Sequence, residues 1–357
     1  MVNPTANNLE KPAVASLVWQ LPFQLHELQA EVIQQLGYSH RFFRFDEAIP
    51  SDAEVVLVQG PYGTLLPLVR QLMGYPPENR PVLVYWFQQS LDMLRPAWLR
   101  QAFARVFSDL HRHYREAGWL GNGLDRLAPN FVNTKGTRLR FMGDIFWLHQ
   151  HGLLDVFALS STVYAEYFKQ SGLSSILVPR GYHPSYGQML DLERDIAVVW
   201  MGKTRTKRRK QAVYGLREQL QKRGQVMHIH DGQENDFIFD EKRTQILNRT
   251  RFVLNVLPHP TWEVSIRYYL AAVNGAAIIT EPGENKYPFV PGKHLVECPV
   301  EEMLDTVMYY VEHEAERRSI ANQMLNLMKN ELTLERSVAN LLRDAEKILH
   351  SRRKQLA

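Results

Sequence analysis

Six of the eight residues from Lys203 to Lys210 are basic, in the stretch Lys-Thr-Arg-Thr-Lys-Arg-Arg-Lys. The stretch follows a short apolar run, Ile196 to Met201, and a glycine, Gly202. Guanidinium and ammonium groups gathered at one point bind phosphate or carboxylate groups. Three kinds of partner use such a cluster: a nucleic acid, a membrane surface and a phosphorylated small molecule. Nothing in the chain supplies a recognition helix, an aromatic platform or a second basic stripe, so the nucleic acid is not the expected partner. Arg205, Lys207 and Lys210 read as the solvated face of an exposed helix. Lys203, Arg208 and Arg209 read as the binding groups.

Other chemistry-bearing residues stand in weaker patterns. His228 and His230 alternate on a strand and share a face, but no carboxylates complete a metal site, and strand-end packing is the expected role. His111, His113, His149 and His151 read as ordinary helix or helix-end residues. Asp46, Glu47 and His183 are candidates for acid or base work with no pattern behind them. Gln88 and Gln89 follow a strand, in the stretch Trp86-Phe-Gln-Gln, and are candidates for holding an acceptor hydroxyl. A Gly60-Pro-Tyr-Gly63 loop reads as a tight turn.

Composition limits the alternatives. The 357 residues carry a net charge of +4, with 45% hydrophobic and 22% charged residues, so sizeable cores are available. The one cysteine, Cys298, excludes a disulfide within the chain and a cysteine metal site. The polar start, MVNPTANNLEKPAVAS, lacks the apolar core of a signal peptide, and no apolar run reaches the length of a membrane span. A cytoplasmic protein is expected.

The elements that must position these residues alternate strand and helix. Strands are expected at 13–19, 54–59, 81–86, 155–160 and 175–179, with helices at 25–36, 64–73, 91–117, 138–151 and 161–170. Residues 179–192, rich in Pro and Gly, read as a linker. The pattern then restarts: strand 196–201, helix 206–223, strand 225–230, helix 241–248, strand 251–256, helix 263–274, strand 276–280 and helices from 300 to 350. Near-continuous apolar strands separated by helices imply parallel sheets covered on both faces. The fold class is α/β, as two tandem Rossmann-like doubly wound domains with a cleft between them. Their expected extents are 1–185 and 193–330, with 331–357 as a final helix that packs back on the first. In such sheets ligands sit beyond the carboxyl ends of the strands. The basic cluster lies at that end of the second domain's first strand, where a helix N-terminus adds its own preference for anions.

The stretch 251–297 contains a strand, a proline-bearing loop, a helix with an arginine, a glycine, a strand and then "PFVPGKHLVE". It resembles the donor-nucleotide half of GT-B glycosyltransferases of the "group 1", family 4-like type, close to the spore-maturation-type branch. Residues 196–209 fit the same family's first donor-domain strand, and 157–184 resemble its interdomain region. The resemblance covers roughly 155–325. It implies transfer of a sugar from a nucleotide diphosphate-sugar donor to an acceptor hydroxyl, with no tightly bound cofactor, no required metal, and retention of configuration at the sugar. The acceptor, whether glycan, protein or small molecule, is not implied, and membrane contact is not indicated.

Carried over residue by residue, Lys203, Arg208 and Arg209 match the basic positions after the first strand. Asn255 and Arg267 match polar positions of the later strand-loop-helix unit, and Gly275 matches its small residue. Thr280, Glu281 and Gly283 lie in the loop expected near the sugar or nucleotide. Glu263 and Arg208 are the catalytic candidates. The family's usual glutamate pair is altered: Leu270 stands at the later position and Trp262 at the earlier, with Glu263 beside it. Glu263 is either that pair's substitute or an acid favoured by a helix start. Arg267 either pairs with Glu263 at i, i+4 or meets a diphosphate. Asn255 is either a contact or a buried amide with structural partners. The rival to an active transferase is a catalytically lapsed GT-B-like protein that binds a nucleotide or glycan.

Overall fold

The computed structural model describes residues 11–18, 24–60, 65–88, 102, 106, 137–204, 206–258, 266–284 and 286–356. The chain divides into two compact units. The first comprises 1–159, 165–178 and 337–357, and the second 160–164 and 179–336.

In the first unit the order is β1 (Val14–Val18), α1 (Gln24–Gln35), β2 (His40–Arg44), β3 (Val55–Gly60), α2 (Leu66–Gly74), β4 (Val82–Phe87), α3 (Thr137–Gln150), β5 (Val156–Leu159), α4 (Thr162–Gln170) and β6 (Ile176–Leu177). All six strands are parallel, in the order β2-β1-β3-β4-β5-β6. The strands β1, β3, β4 and β5 are buried along their whole length, which is why they read as unbroken apolar runs. Sequence reasoning missed β2. Its residues His-Arg-Phe-Phe-Arg sit at the sheet edge, so most of its side chains meet water and no continuous apolar signal exists.

The second unit begins with a short 3-10 turn (Pro184–Tyr186). It continues with β7 (Ile196–Met201), α5 (Lys207–Lys222), β8 (Met227–His230), α6 (Asp240–Asn248), β9 (Thr250–Asn255), α7 (Ile266–Val273), β10 (Ala277–Thr280) and β11 (Val296–Glu297), then α8 (Met303–Glu312) and α9 (Glu314–Asn330); of α10 (Leu334–Leu356) only the first residues, up to Arg336, belong to it. The five strands are parallel in the order β11-β10-β9-β7-β8. A core of Val198, Trp200, Val213, Leu220, Phe252, Leu254, Ile279 and Val307 lies under this sheet. The expected doubly wound α/β architecture is present in both units.

Two features fix where the second sheet begins. Arg194 donates to the carbonyls of Leu247 (3.1 Å), Thr250 and Asn274 (2.8 Å), joining the lead into β7 to the end of α6, the first residue of β9 and the turn before β10. Gly275, at φ +71°, leaves room for it: a Cβ there would lie 2.4 Å from the Arg194 Nη2. From Ser337 onward α10 groups with the first unit. Tyr38 Oη donates to Glu346 at 2.9 Å, Arg352 donates to the Arg80 carbonyl at 2.9 Å and pairs with Asp155, and Arg353 pairs with Glu54.

Candidate functional site

In the second sheet β7 continues to β8 on one side and has β9 on the other, so the direction of winding reverses between β7 and β9. That reversal leaves an opening beyond the strands' carboxyl ends, where ligands of doubly wound sheets bind. The strand β7 ends there in Trp200-Met201-Gly202. Trp200 is fully buried, and its Nε1 donates to the Gly202 carbonyl at 2.5 Å.

Two arginines from different elements meet over this tryptophan. Arg267, in the first turn of α7, lies 4.7 Å from the indole centroid, and Arg209, in the first turn of α5, lies 5.3 Å away. An indole face attracts guanidinium groups through its quadrupole. Arg267 also donates to the Met201 carbonyl and, at 3.2 Å, to Asn255 Oδ1. Arg209 donates to the Val256 carbonyl at 2.8 Å and to Lys203 O at 3.4 Å. Burial, and then the neighbouring Arg209, lowers the Arg267 pKa to about 10. Burial also lowers that of Arg209, with Glu281 opposing it. Both stay cationic at neutral pH. Gly202 makes the arrangement sterically feasible: its φ is +130°, and a Cβ would fall 2.2 Å from Arg267 Nη2.

Arg208 is the exposed member, with 59% of its side chain accessible. It pairs with the buried Glu281 and donates to the Leu257 carbonyl at 3.2 Å. The hydrogen bond to Glu281 is the main reason its pKa rises. Glu281 also accepts from the Leu257 amide. One carboxylate therefore sits where a guanidinium and a backbone N–H converge, an arrangement suited to any oxyanion. The N-terminus of α5 opens on the same region. Thr206 caps it, accepting from the Arg209 amide at 3.2 Å. Lys203, Lys207 and Lys210 are exposed. Arg205 lies outside the described residues.

Asn255 and Thr280 are internal braces, 1% and 4% exposed. Asn255 Nδ2 donates to Tyr268 Oη at 3.2 Å and to Thr280 Oγ1 at 3.1 Å, and Thr280 Oγ1 donates to the Asn255 carbonyl at 3.0 Å. They align the ends of β9 and β10 and present an oxygen to Arg267. Gly283 is half-buried in the loop after β10. Leu270, at the position of the family's later glutamate, is a buried apolar side chain of α7. Glu263, and with it the expected Glu263–Arg267 pair, lies outside the described residues, as do Gln89 and the 91–117 helix apart from 102 and 106.

Sequence reasoning missed Trp200 and Asp231. Thr204 Oγ1 donates to Asp231 Oδ2 at 2.7 Å and Tyr214 Oη to the same oxygen at 3.0 Å. The amides of Gln233 and Glu234 donate to Oδ1 at 2.9 and 3.1 Å. Burial pushes this carboxyl up, but the hydrogen bonds from Thr204, Gln233, Glu234 and Tyr214 outweigh it and hold the pKa at about 2. Asp231 thereby ties the loop after β7 to the end of β8. An Asp-Gly pair after a strand signals a turn, and only the fold brings Thr204 to it.

Several candidates prove structural. Trp86 and Phe87 belong to β4 and are fully buried, with Trp86 Nε1 donating to the Val178 carbonyl at 3.1 Å, so they face the core. Gln88 is 2% exposed and accepts from Gln59 at 3.0 Å, so it does not present itself to an acceptor. The parallel strands β3 and β4 bring these two amides together. Asp46 and Glu47 pair with Arg44 at 3.4 and 3.0 Å on the surface. His183 begins the 3-10 turn and accepts from the Ser185 amide at 3.3 Å. His228 and His230 lie with ring centroids 6.1 Å apart. Among the described residues no group of three or more His, Cys, Asp or Glu could hold a metal ion, and no helix is long and apolar enough to cross a membrane.

Residues 203–343 match the family described as glycosyl transferase-like. The matched segment starts at the basic cluster and takes in Arg208, Arg209, Asn255, Arg267 and Glu281, while Trp200 and Gly202 lie just before it. No curated protein sequence matches the chain. Among solved structures it is similar to HepE of Anabaena in complex with UDP-glucose, at 12% identity and a TM-score of 0.53, over 95% of this chain and 99% of that one. It is also similar to sucrose-phosphate synthase from Thermosynechococcus elongatus, at 9% identity and a TM-score of 0.59, over 96% and 100%. TarM matches at 9% identity and a TM-score of 0.53, over 89% of this chain and 57% of its own. The shared architecture is the two-domain GT-B fold. Residues 203–343 therefore match a glycosyl transferase-like domain within a chain of this fold.

Proposed function

We propose that the protein transfers a sugar from a nucleotide diphosphate-sugar to an acceptor hydroxyl, with the donor bound on the second unit. The convergence of Arg208, Arg209 and Arg267 with the α5 N-terminus beyond β7 and β9 carries this reading. HepE, of the same fold, has been solved with UDP-glucose and with UDP and glucose. In the reaction the bond from the anomeric carbon to the diphosphate breaks and a bond to the acceptor oxygen forms. Negative charge grows on the leaving diphosphate, and cations already fixed in place stabilise it without reorganising. Arg208 is the mobile cation: it releases Glu281 and takes a phosphate oxygen, while Arg209 and Arg267 stay anchored on Trp200. Lys203 adds charge from the loop.

In this proposal no metal ion is needed, because guanidinium groups and helix dipoles neutralise the diphosphate. Configuration at the sugar is retained, and the leaving phosphate accepts the acceptor's proton. Glu263 is the carboxylate nearest in sequence to the family's altered pair, and its role is to contact the donor sugar. A second reading rests on Leu270. An apolar buried side chain cannot hold a ribose hydroxyl, which favours a protein that binds the donor without turning it over.

A panel of nucleoside diphosphates and nucleotide sugars, read by thermal shift, tests the proposal. One nucleotide is expected to raise the melting temperature, and Arg208→Ala/Arg209→Ala to abolish the rise. Loss of charge-assisted hydrogen bonds worth about 1.5–3 kcal/mol each corresponds to roughly 10- to 100-fold per arginine in Kd. No shift with any nucleotide overturns the reading. Binding without hydrolysis or transfer selects the lapsed form.

A further inference from the structure

Another cationic side chain of the second unit, Arg243, is buried with no hydrogen bond or ion pair to its guanidinium among the described residues. Arg243 lies in α6, on the helix face formed by Arg243, Thr244, Leu247 and Asn248, all of them buried. Asn248, further along this face, fixes what the face packs against. Its Nδ2 donates to the Gln188 carbonyl at 2.8 Å and its Oδ1 accepts from the Leu190 amide at 2.7 Å. Just over one turn nearer the helix start is Arg243, near enough to Tyr186, the end of the 3-10 turn, for each to feel the other's charge.

Arg243 is 7% exposed and Tyr186 5%. The Arg243 Nε and the Tyr186 hydroxyl are both buried without a hydrogen-bond partner. No ion pair neutralises the guanidinium. Asp240, one turn earlier, acts on it only through its field, and Arg180 adds a second positive field at Tyr186. Burial raises the Tyr186 pKa to about 12, so its hydroxyl is a proton donor at neutral pH. Buried charges are normally paired, and buried hydroxyls normally bonded. A guanidinium N–H and a phenol hydroxyl that both donate and both lack an acceptor are complementary to an oxyanion.

We propose that Arg243 and the Tyr186 hydroxyl form a second anion-binding site, which takes one phosphate or carboxylate group of a small molecule. The site is built from α6 and the segment that leads into β7. It shares no residue with the Arg208–Glu281 arrangement, so it stands or falls apart from the donor site. An anion bound there ties α6 to that segment.

The test uses the full chain at constant ionic strength set with chloride. Phosphate and acetate are titrated separately into Arg208→Ala/Arg209→Ala protein, which silences the donor site. One of the two anions is expected to raise the melting temperature in a saturable way, phosphate identifying a phosphate-bearing ligand and acetate a carboxylate. Adding Arg243→Met is expected to abolish the response and, by removing an unpaired buried charge, to raise the melting temperature without ligand. Tyr186→Phe, which removes one oxygen, is expected to weaken binding about 5- to 10-fold, as for one lost hydrogen bond. Its result decides if Arg243→Met does not fold. The proposal is overturned if neither anion stabilises beyond chloride, if the response survives Arg243→Met, or if Tyr186→Phe leaves it unchanged.

Discussion

At Gly202 a methyl group would fall 2.2 Å from the Arg267 guanidinium, on backbone at φ +130°. Gly202→Ala is therefore expected to cost about 1–3 kcal/mol of stability from the backbone conformation alone. It is also expected to push Arg267 off Trp200 and weaken nucleotide binding. Urea unfolding and a nucleotide titration check the two effects separately, and unchanged nucleotide affinity would remove Arg267 from the site. Asp231 sets a pH dependence. Its folded pKa of about 2 lies below its unfolded value, so the stability it contributes is complete above about pH 4 and is lost as pH falls toward 2. Melting temperatures of wild type and Asp231→Asn are expected to differ at pH 5–6 and to converge below pH 3. A constant difference would mean the carboxylate's charge is not what holds the loop.

At the scale of elements, α10 is the clearest test. Val338, Leu341, Leu342 and Ala345 are all buried, and Tyr38, Asp155 and Glu54 bind its polar residues. Each fully buried Leu or Val contributes about 1.5–3 kcal/mol, a sum comparable with the whole stability of many domains. Removing 337–357 is expected to unfold the first unit while the second retains its structure. With protection of the second unit retained, loss of protection in the first unit, 14–87 together with 137–159 and 165–178, is the pattern expected from hydrogen exchange. Native-like exchange there would mean the helix is dispensable. The β7–α5 connection shows the opposite design. It buries little, and capping, the Asp231 tie and the Arg209 anchor give it a fixed shape.

At the scale of the molecule, a net charge of +4 on 357 residues is small, and the positive charge matters where it is concentrated. Of the six basic residues in 203–210, Arg208 and Arg209 are tied to β9, β10 and their loops. The exposed Lys203, Lys207 and Lys210 sit within one short segment, fewer than the roughly 6–10 phosphate contacts typical of tight nucleic acid binding. Duplex DNA is accordingly expected to bind no tighter than the about 10⁻⁴–10⁻⁶ M of non-specific association at physiological salt. Fluorescence anisotropy between 50 and 200 mM salt checks this. A steep fall in a much tighter affinity would reassign the cluster to a polyanion.

The sequence by itself determined the doubly wound architecture and the place of the basic cluster within it. Fully buried parallel strands must be apolar throughout, and helix ends must be marked by glycines such as Gly37, Gly172 and Gly275. A basic cluster after a buried strand could only sit at a carboxyl end of the sheet. Edge strands escaped this logic, because β2 is half in water and β11 has two residues. The tertiary structure alone decided which charges are free. Arg209 and Arg267 are far apart in the chain and meet over Trp200, Glu281 holds Arg208, and Gln59 holds Gln88, because parallel pairing sets residues of separate strands side by side. Nothing in the sequence sets Arg243 apart within the 241–248 helix, and packing buries it. Periodicity reports which face of a helix is apolar, and says nothing of a cation on that face left without a counterion.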